Sequence, residues 1–490
     1  MLDDLAQTPL LNALNKIVQK PHAAFYAPGH KQGKGISGSL QNSIGKNIFQ
    51  ADLPELPELD NLFAPEGAIA QAQKLAALAF KADRTWFLVN GSSCGIIAAI
   101  LATCGTGDKI ILPRNIHSSA IAGLVLSGAI PIFINPEYDP EVGLAYNVTP
   151  EAVASALKQH PDTKAVMMLH PTYQGICGDL KAIAQITHQY NIPLLVDEAH
   201  GAHFGFHDDL PPSALSVGAD LSVQSTHKVL SAMTQASMLH LKGDRVCSQR
   251  ISRALQLVQS TSPSYLLLAS LDAAREQVAT QGHELMTRTI SLATEAKKIA
   301  AIPRLSVLTP NKQPGCQYID PTRLTIDVSQ LGITGFAADE ILHEQLKVTC
   351  ELPLLHHLSF IISLGNTAED IDRLIQACQT LADSSLNSYP LSPIPYPLSF
   401  IPYAQRYPLG YPLKSPREAY FAPAETIPIA QASDRMSGEL ICPYPPGIPL
   451  LMPGEIITDE AINYLQQIMN AGGTITGCKD PTLKTIEIIK

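Results

Sequence analysis

Two charged side chains in this sequence follow short apolar segments, where an unpaired charge is costly. Asp197 ends the run IPLLVD, and Lys228 comes 31 residues later, just after the run LSVQS. An ammonium group in such surroundings must be paired or neutralised. An acid and a lysine at neighbouring strand ends can hold a pyridinium cofactor, the lysine by a covalent bond and the acid at the ring nitrogen. For the two residues alone, an ion pair at a sheet edge is the simpler explanation.

A third element, the stretch FLVNGSSCG, runs from a strand-like segment into a helix-like one. Ser92 and Ser93 lie at the start of that helix, where free backbone N–H groups and the helix dipole favour a phosphate group. Ser225 and Thr226, just before Lys228, can supply further hydroxyl groups to the same phosphate. A serine at a helix start is often only a cap. The order of phosphate loop, acid and lysine nevertheless favours a cofactor site over coincidence.

The segments that must position these residues alternate between helical and strand-like patterns. From Gly67 to about Ser260, Ala-rich segments such as AIAQAQKLAALAFKA alternate with apolar runs such as KIILPR, IPIFIN and AVMMLH. This rhythm predicts an α/β fold whose large domain has a mainly parallel sheet with helices on both faces. Open sheets of this kind bind ligands at the carboxyl ends of their strands, where Asp197 and Lys228 are expected.

A chain of 490 residues is too long for one ordinary core, and its organisation changes three times. We predict an N-terminal segment with a site loop (1–66), a large domain (67–287), a smaller α/β domain (288–385) and a C-terminal α+β domain (386–490). The last domain begins with the proline-rich passage SYPLSPIPYPLSFIPYAQRYPLGYPLKSP. Its Tyr, Phe and Leu content favours an ordered extended segment on the surface over a disordered linker.

Composition narrows the possible partners and locations. The formal net charge is -10 and aromatic residues make up 6% of the chain, which argues against a basic nucleic-acid surface. The nine cysteines form no CxxC pair, which is typical of reduced thiols in a cytoplasmic protein, and no metal site is predicted. The N-terminus lacks the pattern of a signal peptide, and the most apolar stretch, 122–134, is too short to span a membrane.

Motifs along most of the chain resemble the Orn/Lys/Arg decarboxylases, a pyridoxal-phosphate-dependent family with the aspartate-aminotransferase fold. The motifs are YAPGHKQG, LDNLFAPEGAI, VNGSSCG, PRNIHSSAI, HPTYQGICGDL, VDEAHGAH, QSTHK, TSPSYLLLASLDAAR and PYPPGIPLLMPGE. Each one alone is modest evidence, whereas the set in this order is highly specific. The residue pattern by itself leaves decarboxylation and transamination open, and the resemblance favours decarboxylation.

The resemblance implies roles for individual residues. Lys228 is expected to carry pyridoxal phosphate, Asp197 to bind the pyridine nitrogen, and His117, in RNIHSSA, to stack on the ring. The residues expected to hold the phosphate are Ser92, Ser93, Ser225 and His227. The substrate amine is expected to displace Lys228, after which carbon dioxide leaves and a proton returns to the substrate.

Three further histidines are candidates for the site or for structure. His200 and His203 follow closely behind Asp197, and His30 lies in the loop YAPGHKQG. We predict a catalytic role for His200, because Lys228 or a nearby histidine must return the proton. Structural hydrogen bonds are the simpler explanation for His203, and His30 either faces the site or closes its loop.

The substrate can be predicted only in class. The family accepts amino acids with a distal cation, which implies carboxylates or other acceptors in the pocket. The candidates for this contact are Glu351, Cys350, Asp434 and Glu439. We predict L-arginine as the substrate, with agmatine and carbon dioxide as products in polyamine metabolism, and keep lysine and ornithine as alternatives because no motif separates the three.

The resemblance also implies at least a homodimer with the cofactor near the interface. The loop from Ser262 to Tyr265 is expected to reach the phosphate of the neighbouring subunit, a contact that C2 symmetry makes twice. Because Tyr26 and His30 come so early, the chain looks like a short form without the N-terminal wing domain of larger members. A catalytically idle regulatory homologue is the alternative of another class, but such a protein is expected to have lost its lysine or its acid.

Overall fold

The first long helix of the chain is bonded to a later helix, whereas much of the segment after it is exposed. The computed structural model describes residues 2–20, 23–309, 312–383, 414–444 and 447–490, so most of the predicted proline-rich surface segment lies outside the described residues. Helix α1 (Pro9–Val18) donates a hydrogen bond from Leu10 N to Asp272, 2.9 Å away on a later helix. Two short helices, Gly38–Ile44 and Asn47–Ala51, contain no buried residue.

Seven strands form the largest sheet in the described part of the chain. They are β1 (Arg84–Leu88), β2 (Lys109–Pro113), β3 (Ile130–Ile134), β4 (Ala165–Leu169), β5 (Leu194–Asp197), β6 (Leu221–Gln224) and β7 (Ser237–Leu241). Their order is β1-β7-β6-β5-β4-β2-β3, and only the two pairs that include β7 are antiparallel. The prediction of a mainly parallel sheet is confirmed.

Helices cover both faces of this sheet. They are α2 (Ala68–Ala79), α3 (Gly91–Thr103), α4 (Ser118–Ser127), α5 (Pro150–Gln159), α6 (Leu180–Gln189) and α7 (Ser248–Val258). Helices α3, α4 and α7 share one apolar core with the sheet, and α5 and α6 share another. Because both faces are covered, central strands such as β4, AVMML, are buried at every position.

A glycine lets helix α3 approach the sheet closely. A Cβ atom at Gly95 would lie 2.7 Å from side-chain atoms of both Leu88 and Val223. Any larger residue would therefore push α3 away from β1 and β6. As a result, the N-terminus of α3 lies at the carboxyl end of β1, beside the end of β6.

A long helix leads into a second sheet, which is antiparallel. Helix α8 (Tyr265–Ala296) contains the predicted domain boundary between 287 and 288, so it links the two domains as one continuous element. The strands of the second sheet are β8 (Ser306–Val307), β9 (Arg323–Asp327), β10 (Leu352–Pro353) and β11 (His357–Ile361). Helices α9 (Gly335–Glu344) and α10 (Ala368–Asp383) share its apolar core. Neither α8 nor any other helix in the described residues is long and apolar enough to cross a membrane.

The C-terminal part from residue 414 has an apolar core of its own. Its elements are β12 (Ala424–Pro428), β13 (Cys442–Tyr444), α11 (Asp459–Asn470), β14 (Thr474–Thr476) and β15 (Thr485–Ile489). Strand β12 pairs with β15 and β13 pairs with β14, both antiparallel. A further two-residue pairing, Ile176–Cys177 with Tyr318–Ile319, ties the loop after β4 to the approach to β9.

Candidate active site

Neighbouring parallel strands bring the predicted acid and lysine to one edge of the large sheet. Strand β5 ends at Asp197, which is in register with Val223 of β6. Lys228 follows the end of β6 on the short helix Thr226–Val229. The loop after β4 adds Tyr173, whose ring centre lies 5.5 Å from Nζ of Lys228. The acid and the lysine, which were predicted to share a site, thus lie at the same edge of the sheet.

His200 is in direct contact with the lysine. Its Nε2 atom lies 2.9 Å from Nζ of Lys228, and its ring is tilted against that of Tyr173 with the centres 4.5 Å apart. Burial, together with the positive charges of Lys228 and Arg323, lowers the pKa of His200 well below its ordinary value. The imidazole is therefore neutral and placed to exchange a proton with the lysine.

Burial shifts both charged groups of the site toward neutrality. Asp197 is 4% exposed, and desolvation raises its pKa against the opposing effects of His117 and Lys228. Desolvation lowers the pKa of the Lys228 amine, against the attraction of Asp197 and Glu351. A protonated ring nitrogen beside Asp197 would supply the positive charge that stabilises its buried carboxylate.

His117 is held in a fixed orientation at the start of α4. Its Nδ1 atom accepts a hydrogen bond from Ser119 N at 3.1 Å. Gly447, in the C-terminal part, covers the ring: a Cβ atom there would be 3.4 Å from Nε2, and Ser118 N donates to the Gly447 carbonyl at 3.2 Å. Burial lowers the pKa of His117 and so favours its neutral form, which can stack on a positively charged ring without charge repulsion.

An anion cradle lies at the N-terminus of α3. Ser225 Oγ donates to Ser92 Oγ at 2.7 Å, which joins the hydroxyl groups of two separate loops. The side chain of Asn90 does not cap α3, because its Oδ1 accepts from Ser260 N at 3.1 Å instead. The buried Thr226 Oγ1 has no hydrogen-bond partner among the described residues. Hydroxyl groups and uncapped backbone N–H groups fit a phosphate group.

The other two predicted phosphate ligands border this cradle. Ser93 is exposed in the first turn of α3. His227 is half-buried, and its Nδ1 lies 2.9 Å from the carbonyl oxygen of Ala236, to which it donates. Nε2 of His227 is then left as an acceptor in the neutral ring, and it becomes a donor only when the ring is protonated.

Of the four predicted substrate contacts, Glu351 is the one whose charge acts on the site. It is exposed, and it raises the pKa of the Lys228 amine. The backbone N–H of Cys350 donates to Asp339, and burial together with that carboxylate raises the pKa of its thiol. The structure shows no contact of Cys350 with the acid or the lysine of the site.

The two C-terminal candidates have other surroundings. Asp434 is exposed in a turn with a φ of 62°. Glu439 is buried and accepts hydrogen bonds from Lys479 N at 2.6 Å and Glu487 N at 3.1 Å, which joins segments of the C-terminal part. The described contacts of these two carboxylates do not include the site.

The two remaining histidines make local hydrogen bonds. Nε2 of His203 lies 3.1 Å from Oδ2 of Asp320. This contact agrees with a structural hydrogen bond, which was the simpler explanation for His203. In the N-terminal loop, Nε2 of His30 lies 3.0 Å from Asp52, and Nδ1 accepts from Gly33 N at 3.1 Å. These contacts agree with a histidine that closes its own loop.

Sequence reasoning missed three residues that form part of the site. Tyr173 lies in the motif HPTYQGICGDL, which carried the family resemblance without a role for the ring. Gly447 lies in PYPPGIPLLMPGE, which was likewise noted only as a motif. Arg323 opens the apolar strand RLTID, where a single arginine suggests solvent, yet it is 3% exposed and contacts His200.

Fold and site together define an α/β enzyme in which a buried acid and a reactive amine lie beside an anion cradle. Residues 8–314 match the model for the Orn/Lys/Arg decarboxylase major domain, and residues 409–480 match the model for the C-terminal domain of the same family. The chain belongs to the Orn/Lys/Arg decarboxylase family.

Individual relatives agree with this assignment. The chain is 40% identical to the arginine decarboxylase of Bacillus subtilis, over 99% of this chain and 98% of the relative. It is also 40% identical to the arginine decarboxylase of Halalkalibacterium halodurans, with the same coverage of both chains. The lysine decarboxylase of Francisella novicida has a similar fold, with a TM-score of 0.82 at 24% identity over 99% of this chain and 81% of that one.

Proposed function

We propose that this chain uses pyridoxal phosphate to decarboxylate L-arginine to agmatine and carbon dioxide, as a cytoplasmic enzyme of polyamine metabolism. The observation that carries the proposal is the contact of the Lys228 amine with neutral His200, at the edge where Asp197 lies. Family membership supports decarboxylation, and the two relatives named arginine decarboxylases support the substrate. Lysine and ornithine are the alternative substrates within the same reaction.

The residues present fit this cofactor at its aldehyde, its ring nitrogen and its phosphate. Lys228 would bind its aldehyde carbon, Asp197 its ring nitrogen and His117 the face of its ring. The phosphate would be held by Ser92, Ser93, Ser225 and His227, and by the unpaired hydroxyl of Thr226. When bound, the cofactor supplies a positively charged ring that accepts the electron pair released with carbon dioxide.

The chain itself supplies charge, proton transfer and exclusion of water. The carboxylate of Asp197 would hold a proton on the ring nitrogen of the bound cofactor and so support its role as an electron acceptor. After carbon dioxide leaves, a proton returns to the substrate Cα from Nζ of Lys228 or from Nε2 of His200, which are 2.9 Å apart. Burial of Asp197 and His200 keeps water from competing for these groups.

The guanidinium of arginine needs a carboxylate that lies outside this buried centre. Glu351 satisfies this condition, because it is exposed while its charge still acts on Lys228 and Arg323. A carboxylate can bind a guanidinium through two parallel hydrogen bonds, a geometry that an ammonium group cannot use. Glu351 is thus the proposed contact for the distal cation.

We also propose that the site is completed in a homodimer. Of the predicted loop from Ser262 to Tyr265, Tyr265 is buried at the start of α8. Ser260 to Ser262 are exposed next to Asn90, immediately before the anion cradle. Phe25 is 94% exposed and Ile44 is 53% exposed in the N-terminal segment, which supplies apolar surface for a second subunit. In a C2 dimer both features can meet their counterparts by symmetry.

The test compares carbon dioxide release from arginine, lysine and ornithine at equal concentrations. We expect arginine to have the highest kcat/KM. A higher value for lysine or ornithine would contradict the substrate, and no release from any of the three would contradict decarboxylation. Borohydride reduction of the protein with pyridoxal phosphate, followed by mass spectrometry of the peptide that contains Lys228, separates an enzyme from an idle homologue.

A further inference from the structure

Arg323, at the start of β9, is buried against the proposed site. Its Nη2 atom lies 3.0 Å from Nδ1 of His200 and 3.3 Å from the His200 carbonyl oxygen. The side chain is only 3% exposed, and a guanidinium buried to this degree needs specific partners because desolvation of a charge is costly. His200 provides two of these contacts.

Asp320 forms an ion pair with the same guanidinium. Its Oδ2 atom lies 3.7 Å from Nε of Arg323, an ion pair longer than a hydrogen bond, and 3.1 Å from Nε2 of His203. Both residues pack on Gly175, where a Cβ atom would come within 2.6 Å of Arg323 Cγ and 3.1 Å of Asp320 Cβ. The glycine leaves the space that this pair occupies.

The contact with Arg323 fixes which nitrogen of His200 carries the proton. A guanidinium only donates hydrogen bonds, so Nδ1 of His200 must accept and cannot carry a hydrogen. The neutral ring then has its proton on Nε2, which faces Nζ of Lys228 at 2.9 Å. An ammonium group has no lone pair, so Nζ can accept this bond only as an uncharged amine.

The opposite arrangement is incompatible with Arg323. A charged Lys228 would donate to Nε2 of His200 and force the ring proton onto Nδ1, where it would face an N–H of the guanidinium. We propose that Arg323, which forms an ion pair with Asp320, is a positioning residue for His200. It fixes the Nε2–H form of the His200 ring and thereby keeps the free Lys228 amine uncharged. The inference rests on the proposed function, in which this amine reacts with the cofactor aldehyde.

Other groups around the lysine act on the same equilibrium. Asp197 and Glu351 favour the ammonium form and raise the pKa of Lys228, whereas burial and Arg323 lower it. The remaining titratable groups around the contact are kept in their neutral forms by burial, and they are His117, His227 and Tyr173. A change at Arg323 alone leaves these groups in place, so its effect can be measured separately.

The test measures how reactive the Lys228 amine is in the full-length chain purified without cofactor. Acetic anhydride acylates only the uncharged amine, so labelling of Lys228 against pH, read by mass spectrometry, reports its protonation. In Arg323→Met we expect the midpoint to rise by about one pH unit, which makes labelling at pH values below the wild-type midpoint about tenfold slower. Arg323→Lys, which keeps a charged donor, should restore most of the rate. Unchanged labelling in folded Arg323→Met overturns the proposal.

A second comparison shows whether the effect passes through His200. In a His200→Phe background, adding Arg323→Met should change the labelling of Lys228 by clearly less than about tenfold, because only the direct effect of the Arg323 charge remains. A full tenfold change in that background overturns the proposal. If Arg323→Met does not fold, nitrogen NMR of the wild-type chain with isotope-labelled histidine decides. We expect the proton of His200 on Nε2, and a proton on Nδ1 overturns the proposal.

These measurements do not depend on decarboxylation. If no amino acid releases carbon dioxide while labelling and spectra behave as expected, the proposed function fails and the assignment of Arg323 stands. If arginine is decarboxylated while labelling of the variants is unchanged, the assignment of Arg323 fails and the proposed function stands.

Discussion

Asp197 and Glu198 are consecutive residues, yet their carboxyl groups lie on opposite faces of the large sheet. Side chains alternate along a strand, and Asp197 lies on the face of Lys228, where each group shifts the pKa of the other. Glu198 instead accepts three hydrogen bonds, of 2.5 to 2.8 Å, from Ser222 Oγ, Gln224 Nε2 and Ala214 N. One carboxyl group therefore lies beside Lys228, and its neighbour is held by hydrogen bonds in the core.

This relationship provides a matched pair of variants. Asp197→Asn keeps the size of the side chain but removes the charge that keeps the ring nitrogen protonated. We expect a loss of about a hundredfold or more in kcat, with pyridoxal phosphate still bound through its phosphate. Glu198→Gln makes the same chemical change one residue away and should keep kcat within about tenfold of wild type. A normal rate in Asp197→Asn would mean that another acid protonates the ring.

Glu198 also makes stability depend on pH. Burial raises its pKa from 4.5 to about 7, against the effect of its three hydrogen bonds. The folded state keeps a proton that the unfolded state has already lost, so the free energy of unfolding should fall as pH rises from 4.5 to about 7. In Glu198→Gln the fall should be smaller, as urea unfolding at a series of pH values would measure. Equal slopes in both proteins would contradict the raised pKa.

The common location of Asp197, Lys228 and Ser92 could be predicted because each residue lies where an apolar run meets a polar turn. In a parallel sheet the carboxyl ends of the strands lie at one edge. Such junctions therefore come together regardless of the length or conformation of the loops between them. The mainly parallel sheet could be predicted for a related reason: strands buried on both faces are apolar throughout.

The contacts of Arg323 and Cys350 could not be predicted from the sequence. Arg323 is buried where Gly175, from a distant segment, leaves space for its side chain beside Asp320. Cys350 and Glu351 are adjacent in the sequence, but one is buried in the small-domain core and the other is exposed, which depends on the register of the second sheet. Such differences arise from tertiary packing.

Removal of the Lys228 amine should abolish both the covalent binding of the cofactor and catalysis. In Lys228→Ala we expect a folded protein without covalently bound cofactor and at least about a thousandfold loss of rate, since exchange with the substrate amine depends on Nζ. Carbon dioxide release and mass spectrometry after borohydride reduction measure the two effects. Circular dichroism equal to that of wild type serves as the folding control. Turnover within about tenfold of wild type would contradict the assignment.

The proposed dimer makes activity depend on protein concentration. If the loop near Ser262 contributes to the partner's anion cradle, the isolated subunit should bind pyridoxal phosphate weakly. We expect sedimentation to show a dimer and the specific activity to fall at concentrations where the dimer dissociates. Ser262→Arg should weaken both dimer and cofactor binding, whereas Ser216→Arg, at another exposed serine whose hydroxyl bonds to the carbonyl of Ser213, should change neither. A fully active monomer would contradict the shared site.

The substrate prediction depends most directly on Glu351. Its exposed carboxylate raises the pKa of the Lys228 amine, so its charge acts on the site, and we propose that it also meets the cation at the end of the substrate side chain. In Glu351→Gln we expect kcat/KM for arginine to fall by about tenfold to a hundredfold, because a charged, two-point hydrogen bond is replaced by a neutral one. The fall should appear mainly in KM, since this contact is made equally before and during the reaction.

Asp434→Asn is the matched control, because it removes an exposed carboxylate whose described contacts lie in the C-terminal part. It should leave kcat/KM for arginine unchanged, which separates a specific contact from a general loss of negative charge. Loss of Glu351 also lowers the pKa of Lys228, so its effect on KM must be measured across a range of pH. A fall that is the same for arginine and for an amino acid without a distal cation would show that Glu351 acts through Lys228 and would contradict its role in recognising the guanidinium.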